Sequence, residues 1–155
     1  MNAGVSIWQK LVWIARSRRF VLAIRMLSLL VRLPRRLQRQ PLTGVLSALR
    51  VASCLTPRHD TDSVLTLARA LVARLPRTRA SPCLYRSLLL FRFLPEAGLA
   101  PTIHFGVGSD DGALVGHSWI SANGKPIADL PDGSQGSYRE LYCFASASPA
   151  SHPSP

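Results

Sequence analysis

The chain has 155 residues, of which 47% are hydrophobic, so it fits one globular domain with a substantial core. Its formal net charge is +11, and the charge is uneven: residues 1–80 hold 15 Lys and Arg against 2 Asp and Glu, and residues 81–155 hold 4 against 6. Because 17 of the 19 basic residues are Arg and no zinc-finger, RNP-type or helix-turn-helix pattern accompanies them, the charge alone does not indicate a nucleic-acid-binding protein.

The sequence predicts neither a membrane-spanning helix nor a secretory signal. The most apolar N-terminal run, residues 20–31, falls short of the roughly 20 apolar residues that cross a bilayer, and Arg25 interrupts it. No small-residue cleavage site follows this run. The three cysteines, Cys54, Cys83 and Cys143, form no recognisable disulfide framework. A reducing, cytoplasmic location is therefore expected.

Three zones follow one another along the chain. Residues 1–57 have apolar residues at near-helical spacing with Arg between them, so we expect a basic helical segment that packs on the core. In this zone the first helix should end at Pro34, and another should span 43–54. Residues 58–144 are predicted to form the main folded unit. Residues 145–155, rich in Ser, Ala and Pro, are expected to be a disordered tail.

The main unit is predicted to begin with two helices. The first spans 61–75, with Thr61 or Asp62 as its N-cap. The second spans 82–94 and follows Ser81 as its N-cap, with proline at the first helical position, where its missing N–H costs nothing.

From residue 101 the pattern changes to short alternating runs. Strands are predicted over 102–107, 113–121 and 126–130, with a last piece at 137–144. A glycine-rich loop and an Asn-Gly pair separate the first three runs, and both are hairpin signals. Helices followed by an antiparallel meander predict an α+β fold.

Cys83 is placed where thiol catalysis would need it. As the second residue of a predicted helix it lies among backbone N–H groups that have no helical partner, and the partial positive charge there favours thiolate over thiol. Its own N–H could also donate to a developing oxyanion. The alternative interpretation is a small buried apolar side chain, a common role for cysteine.

His117 and Asp129 lie in neighbouring predicted strands. Alone, His117 indicates a half-buried structural histidine and Asp129 a solvated acid, but with Cys83 they make a candidate Cys-His-Asp triad. A strict two-residue turn would pair Ser118 with Asp129. A three-residue loop over 122–124 would instead pair His117 with Asp129, with Cβ atoms about 4.5–5.5 Å apart. The triad hypothesis needs that loop, or a bulge that compensates for a two-residue turn.

Other candidate sites have weaker support. A zinc site made by Cys83, His104 and His117 lacks the paired ligand spacing that zinc motifs show. His104 is expected to be structural, and Cys54 and Cys143 are expected to be passive. The sequence therefore predicts no metal ligand set and no cofactor motif.

Several blocks of the sequence resemble the lasso peptide biosynthesis B2 proteins, which are transglutaminase-like, papain-related cysteine proteases that remove the leader from a ribosomally made precursor. The blocks lie within roughly residues 45–145, at 81–90, 98–99, 103–107, 116–120 and 124–129. The resemblance implies a transglutaminase-like, papain-like core with Cys83 as nucleophile, His117 as general base and then acid, and Asp129 as the orienting acid. Ser118 stands where that family usually has Ala.

The resemblance also implies partners. It implies the leader of a precursor peptide, a separate leader-recognition protein and an ATP-dependent cyclase; no motif indicates that this chain uses ATP itself. Two alternatives remain open. One is a transglutaminase-like acyltransferase or amidase with the same triad. The other is a basic amphipathic adaptor that binds anionic membrane or nucleic acid through residues 1–50.

Overall fold

The computed structural model describes residues 7–52, 54, 56–75, 81–110, 113–128 and 138–146. The elements in chain order are α1 (Ile7–Arg39), α2 (Leu42–Leu49), α3 (Thr61–Val72), α4 (Pro82–Phe93), a 3₁₀ turn (Leu94–Ala97), β1 (Pro101–Asp110), β2 (Ala113–Ala122), β3 (Lys125–Ala128) and β4 (Tyr138–Ala145). The predicted α+β fold, with helices first and an antiparallel sheet second, is confirmed.

Helix α1 continues through Pro34 to Arg39, so the prediction that it ends at Pro34 is wrong. A proline inside a helix removes one backbone hydrogen bond and costs about 3 kcal/mol. Burial on both sides of the proline offsets this cost, because Leu37 beyond it still packs on the core. The buried face of the helix before it consists of Leu22, Met26, Leu30 and Leu33.

The opposite side of α1 exposes apolar side chains between arginines. Their spacing of three or four residues places them along one stripe of the helix, which consists of Phe20, Ile24, Leu27 and Val31, each between 49% and 66% exposed. The arginines that lie between these residues along the chain give α1 too many charges for a lipid-spanning segment. Among the described residues, no helix combines the length and the apolar character that crossing a bilayer requires.

Helices α2 and α3 differ from the predictions at their ends. Helix α2 stops at Leu49, several residues before the expected end at 54. Helix α3 is capped by Asp60, which is one residue before Thr61 and two before Asp62, the two expected caps. The Asp60 carboxylate accepts hydrogen bonds from both the backbone N–H and the hydroxyl of Ser63, each at 2.7 Å. Asp60, Thr61 and Asp62 are all residue types that can act as an N-cap. Asp60 is the cap because it has the extended backbone conformation that precedes the first helical residue.

Helix α4 is the centre of the core. It packs against β1 and β2 on one side and against the other helices on the other, so nearly all of its second half is buried. Phe91 is fully buried and meets Phe144 of β4 edge to face, with ring centroids 5.9 Å apart. This burial fixes the direction of α4 and therefore the position of its first turn.

The four strands form one antiparallel sheet in the order β3-β2-β1-β4. Side chains alternate between its faces, and Ile103 and Ile120 point to the inner face, which the helices cover. The opposite side is called the outer face below. Its side chains belong to His104, His117, Trp119, Ser121, Tyr138, Glu140 and Cys143.

A buried carboxylate ties α1 to the end of α4. Glu96 is 3% exposed and accepts two hydrogen bonds from Arg25, at 2.7 and 2.6 Å, and one from Arg92 at 2.9 Å. Burial alone would raise the pKa of Glu96, but the hydrogen bonds and charges of the two arginines outweigh it and hold this pKa below its ordinary 4.5. Glu96 is therefore ionised at neutral pH.

Candidate active site

Cys83 lies half-buried in the first turn of α4, directly after Pro82. Ser81 occupies the N-cap position, as predicted, but its side chain caps no backbone N–H. Its hydroxyl instead lies 2.6 Å from the Cys83 sulfur, where either atom can donate. The Ser81 side chain thus leaves the first-turn N–H groups of α4 to other acceptors and gives the sulfur a polar neighbour, an arrangement that suits a thiolate nucleophile.

The turn between β2 and β3 contains two residues, so the expected three-residue loop is wrong. Asn123 and Gly124 both have positive φ, 52° and 72°, and Ala122 pairs with Lys125. Two consecutive left-handed residues make the turn whose twist matches that of a hairpin, and Asn-Gly is the pair best suited to it.

A bulge follows this turn. The register shifts between Ile120 and Ser121, so that Ser121 pairs with Pro126 but Ile120 pairs with Ala128. A three-residue loop would have paired Ile120 with Pro126. Beyond the bulge, the side chains of β3 therefore lie on the same faces as a three-residue loop would give. Each residue of β2 is, however, paired two positions further along β3. A bulge is thus present after the two-residue turn, and the pairing of His117 with Asp129 stays a prediction, because Asp129 lies outside the described residues.

His117 lies half-buried on the outer face of β2, just before the first buried residue of that strand, Ser118. Its imidazole stacks on the ring of Tyr138 with centroids 4.8 Å apart, and on Trp119 at 6.3 Å. The Cys83 thiol has the Ser81 hydroxyl as a hydrogen-bond partner. Strand β2 packs against α4 through its inner face, so the His117 side chain lies on the face of the sheet that points away from this helix.

A second polar cluster on the outer face was missed by the sequence predictions. His104 Nδ1 lies 2.6 Å from a Glu140 oxygen, and His104 Nε2 lies 2.6 Å from the Ser121 hydroxyl. When the imidazole is neutral, an ionised Glu140, which only accepts, places the ring proton on Nδ1, and Ser121 then donates to Nε2. The Trp119 ring lies parallel to the imidazole at 5.3 Å and fixes its plane.

A second bulge creates this cluster. The register between β1 and β4 shifts between Phe105 and Gly106, so Gly106 faces Glu140 and Leu141 is the extra residue. Leu141 is 63% exposed, whereas Glu140 joins His104 on the outer face. Only the pairing of strands far apart in sequence brings these groups together, so no local motif could have indicated them.

Cys143 pairs directly with His104 across β1 and β4. Desolvation, followed by the charge of Glu140 and a hydrogen bond to it, raises the pKa of the Cys143 thiol above its ordinary value. Cys143 is therefore a protonated thiol at neutral pH. A strand position beside a carboxylate is the opposite of the helix-start setting that activates cysteine nucleophiles.

Gly106 makes room for the outer face, and an alanine there should destabilise the fold. A Cβ at this position would lie 2.7 Å from the Arg139 carbonyl oxygen and 3.0 Å from the Trp119 ring. We expect Gly106→Ala to lower the free energy of unfolding by about 1–3 kcal/mol, measured by chemical denaturation. Gly116→Ala is the matched control, because nothing lies within 4 Å of its added Cβ. Equal stabilities of the two variants would contradict the close approach at Gly106.

Comparison with protein families assigns the chain. The model of the transglutaminase-like superfamily matches residues 27–143, about three quarters of the sequence. The chain belongs to the transglutaminase-like superfamily. The match includes the α4 start with Cys83, strand β2 with His117, and the segment that contains Asp129. No curated protein and no solved structure matches the chain.

Membership in the transglutaminase-like superfamily gives the helix-start cysteine a chemical meaning. Proteins of this superfamily are usually cysteine proteases or acyltransferases, and both activities begin with thiolate attack on a carbonyl carbon. The domain of this chain therefore fits papain-like cysteine peptidase or acyl-transfer chemistry.

Proposed function

We propose that this transglutaminase-like protein is a cysteine peptidase that removes the leader from a lasso peptide precursor during maturation of a ribosomal peptide natural product. The observation that carries the proposal is the setting of Cys83, which opens α4 with the Ser81 hydroxyl at its sulfur, inside a domain of this superfamily. The resemblance of the blocks around Cys83 and His117 to the B2 proteins supports the choice of substrate.

In the proposed mechanism the Cys83 thiolate attacks the scissile carbonyl, and first-turn N–H groups of α4 donate to the oxyanion. His117 takes the thiol proton and passes it to the leaving amine, which departs while the acyl group stays on sulfur as a thioester. Water, deprotonated by His117, then hydrolyses this thioester. Asp129 is proposed as the acid that orients His117. In the free protein the Cys83 thiol bonds to Ser81 and His117 lies on the outer face, so the proposed role requires the imidazole and the first turn of α4 to approach each other when substrate binds.

The proposed partners are the precursor leader, a separate leader-recognition protein and an ATP-dependent lasso cyclase, to which cleavage would deliver a free amine. The apolar stripe of α1, bordered by arginines, supports docking of a protein partner there. We place the reaction in the cytoplasm. The free thiols of Cys54, Cys83 and Cys143 support a reducing location.

The experiment that tests the proposal is an in vitro cleavage assay read by mass spectrometry. The protein is incubated with a lasso precursor and recognition protein from the same gene neighbourhood. We expect two fragments whose masses sum to the precursor plus one water, because hydrolysis adds water across one peptide bond. A product joined to an added amine would assign an acyltransferase instead. An intact precursor, together with salt-sensitive binding to anionic vesicles or nucleic acid, would contradict the peptidase and favour the adaptor.

A further inference from the structure

The cluster of His104, Glu140 and Cys143 has the composition and size of a metal site. One potential ligand atom from each residue lies within 4.8 Å of the other two. Tetrahedral zinc, with bonds of about 2.0–2.3 Å, holds its ligand atoms roughly 3.3–3.8 Å apart. The hydrogen-bonded pair of His104 and Glu140, now at 2.6 Å, would open by less than an ångström. The Cys143 sulfur, within 4.8 Å of the other two ligand atoms, would move inward by roughly an ångström.

We propose that these three residues bind a zinc ion on the outer face of the sheet, a site that is separate from the proposed peptidase chemistry. Thiolate, imidazole and carboxylate together are a typical ligand set for Zn²⁺ and exclude the hard cations Mg²⁺ and Ca²⁺. The charges of one thiolate and one carboxylate balance those of the ion. Three protein ligands leave the fourth tetrahedral position to water or to an incoming ligand.

The surroundings of His104 match those of a metal-bound histidine. When Nδ1 coordinates the ion, its proton is absent and Nε2 carries the ring proton, which the Ser121 oxygen at 2.6 Å can accept. The Ser121 hydroxyl can donate in the metal-free state and accept in the bound state, so the ring keeps its position in both. The parallel Trp119 ring fixes the ring plane. Binding then displaces one proton, that of the Cys143 thiol, to solvent.

The sheet holds two of the three ligand residues in place, and the third can move. His104 and Cys143 are directly paired across two hydrogen-bonded strands, so the separation of their backbones is set by the sheet. Glu140 follows the bulge and its side chain is 46% exposed, so its carboxylate can move by the small distance that an ion requires. The site is thus rigid on two sides and adjustable on the third.

Cobalt titration tests the proposal. We expect one equivalent of Co²⁺, added to the reduced full-length protein, to produce a thiolate-to-cobalt charge-transfer band that Zn²⁺ abolishes by displacement. Cys143→Ala should remove the band, and this exposed position should tolerate the change. Ser121→Ala should weaken zinc affinity by about 10-fold, as loss of an outer hydrogen bond to a ligand does, measured by competition with a chromophoric chelator.

Two matched cysteine variants decide where a bound metal lies. Cys54→Ala and Cys83→Ala should keep the band. Loss of the band in Cys83→Ala would overturn the proposal, because it would place the metal at the helix start. Absence of any band in the wild-type protein, or its persistence in Cys143→Ala, would also overturn it. Far-ultraviolet circular dichroism of each variant checks that the fold is intact; if Cys143→Ala misfolds, the same criteria apply to Glu140→Ala.

Discussion

Cys83→Ala should abolish leader removal, with a loss in kcat of more than about 10⁴-fold, because the proposed mechanism forms its thioester on the Cys83 sulfur. Removal of the nucleophile from a protease of this type leaves only the small contribution of binding and oxyanion stabilisation. Cys83 is half-buried at the helix start, so stability should change by less than about 1 kcal/mol. The cleavage assay with mass spectrometry measures the first effect, and chemical denaturation measures the second.

The other two cysteines make this test specific. Cys54→Ala is the matched control and should keep full activity, since Cys54 is held through its backbone N–H, which donates to the Pro95 carbonyl, and this bond survives the substitution. His117→Ala should lose activity as severely as Cys83→Ala, because the two residues act as a unit. Cleavage retained by Cys83→Ala would refute the mechanism. Activity that survives there and is lost in Cys143→Ala would assign the nucleophile to the outer face instead.

Glu96→Gln should lower the free energy of unfolding by about 2–3 kcal/mol. The substitution removes the charge that Arg25 and Arg92 share and leaves two guanidinium groups close together without a counterion. Both arginines reach solvent in part, with side chains 37% and 25% exposed, so we expect an effect at or just below the lower end of the roughly 3–5 kcal/mol that breaking a fully buried ion pair costs. Chemical denaturation at pH 7 measures the difference.

The acid dependence of stability checks the same assignment. Because the folded pKa of Glu96 lies below 4.5, its stabilising contribution is complete above that pH and is lost as the pH falls through the folded pKa. The difference between wild type and Glu96→Gln should therefore shrink below pH 4.5. Burial lowers the pKa of His59, so both proteins should also lose stability as the pH falls below 6.5.

The control for Glu96→Gln is Glu140→Gln, at a half-exposed site, which should lower the free energy of unfolding by less than about 1 kcal/mol at pH 7. A cost equal to that of Glu96→Gln would contradict the special role of Glu96.

The features predicted correctly from the sequence are those that depend only on residues close together in the chain. The start of α4 after Ser81, the periodic face of α3 and the Asn-Gly turn all follow from local chemistry, and their positions were correct to within a few residues. The helix through Pro34 could not be predicted, because tertiary burial of α1 outweighs a local penalty there.

The sheet's irregularities were also outside the reach of local patterns. A one-residue bulge leaves no signature in composition, yet bulges decide that Ile120 pairs with Ala128 and that Glu140 reaches His104. The identification of Cys83 and His117 as candidates needed only helix-start chemistry and resemblance. The cluster around His104 needed the pairing of β1 with β4, which contributes no pattern to a single sequence.

Trp119 gives this protein an optical reporter that covers both proposed sites. Its indole stacks on both His104 and His117, so a change at either imidazole alters the same fluorophore. With Trp8 and Trp13 replaced by Phe, the emission of the remaining indole would follow events at the two histidines within one measurement. Metal loading and substrate binding could then be observed in a single cuvette without any attached label.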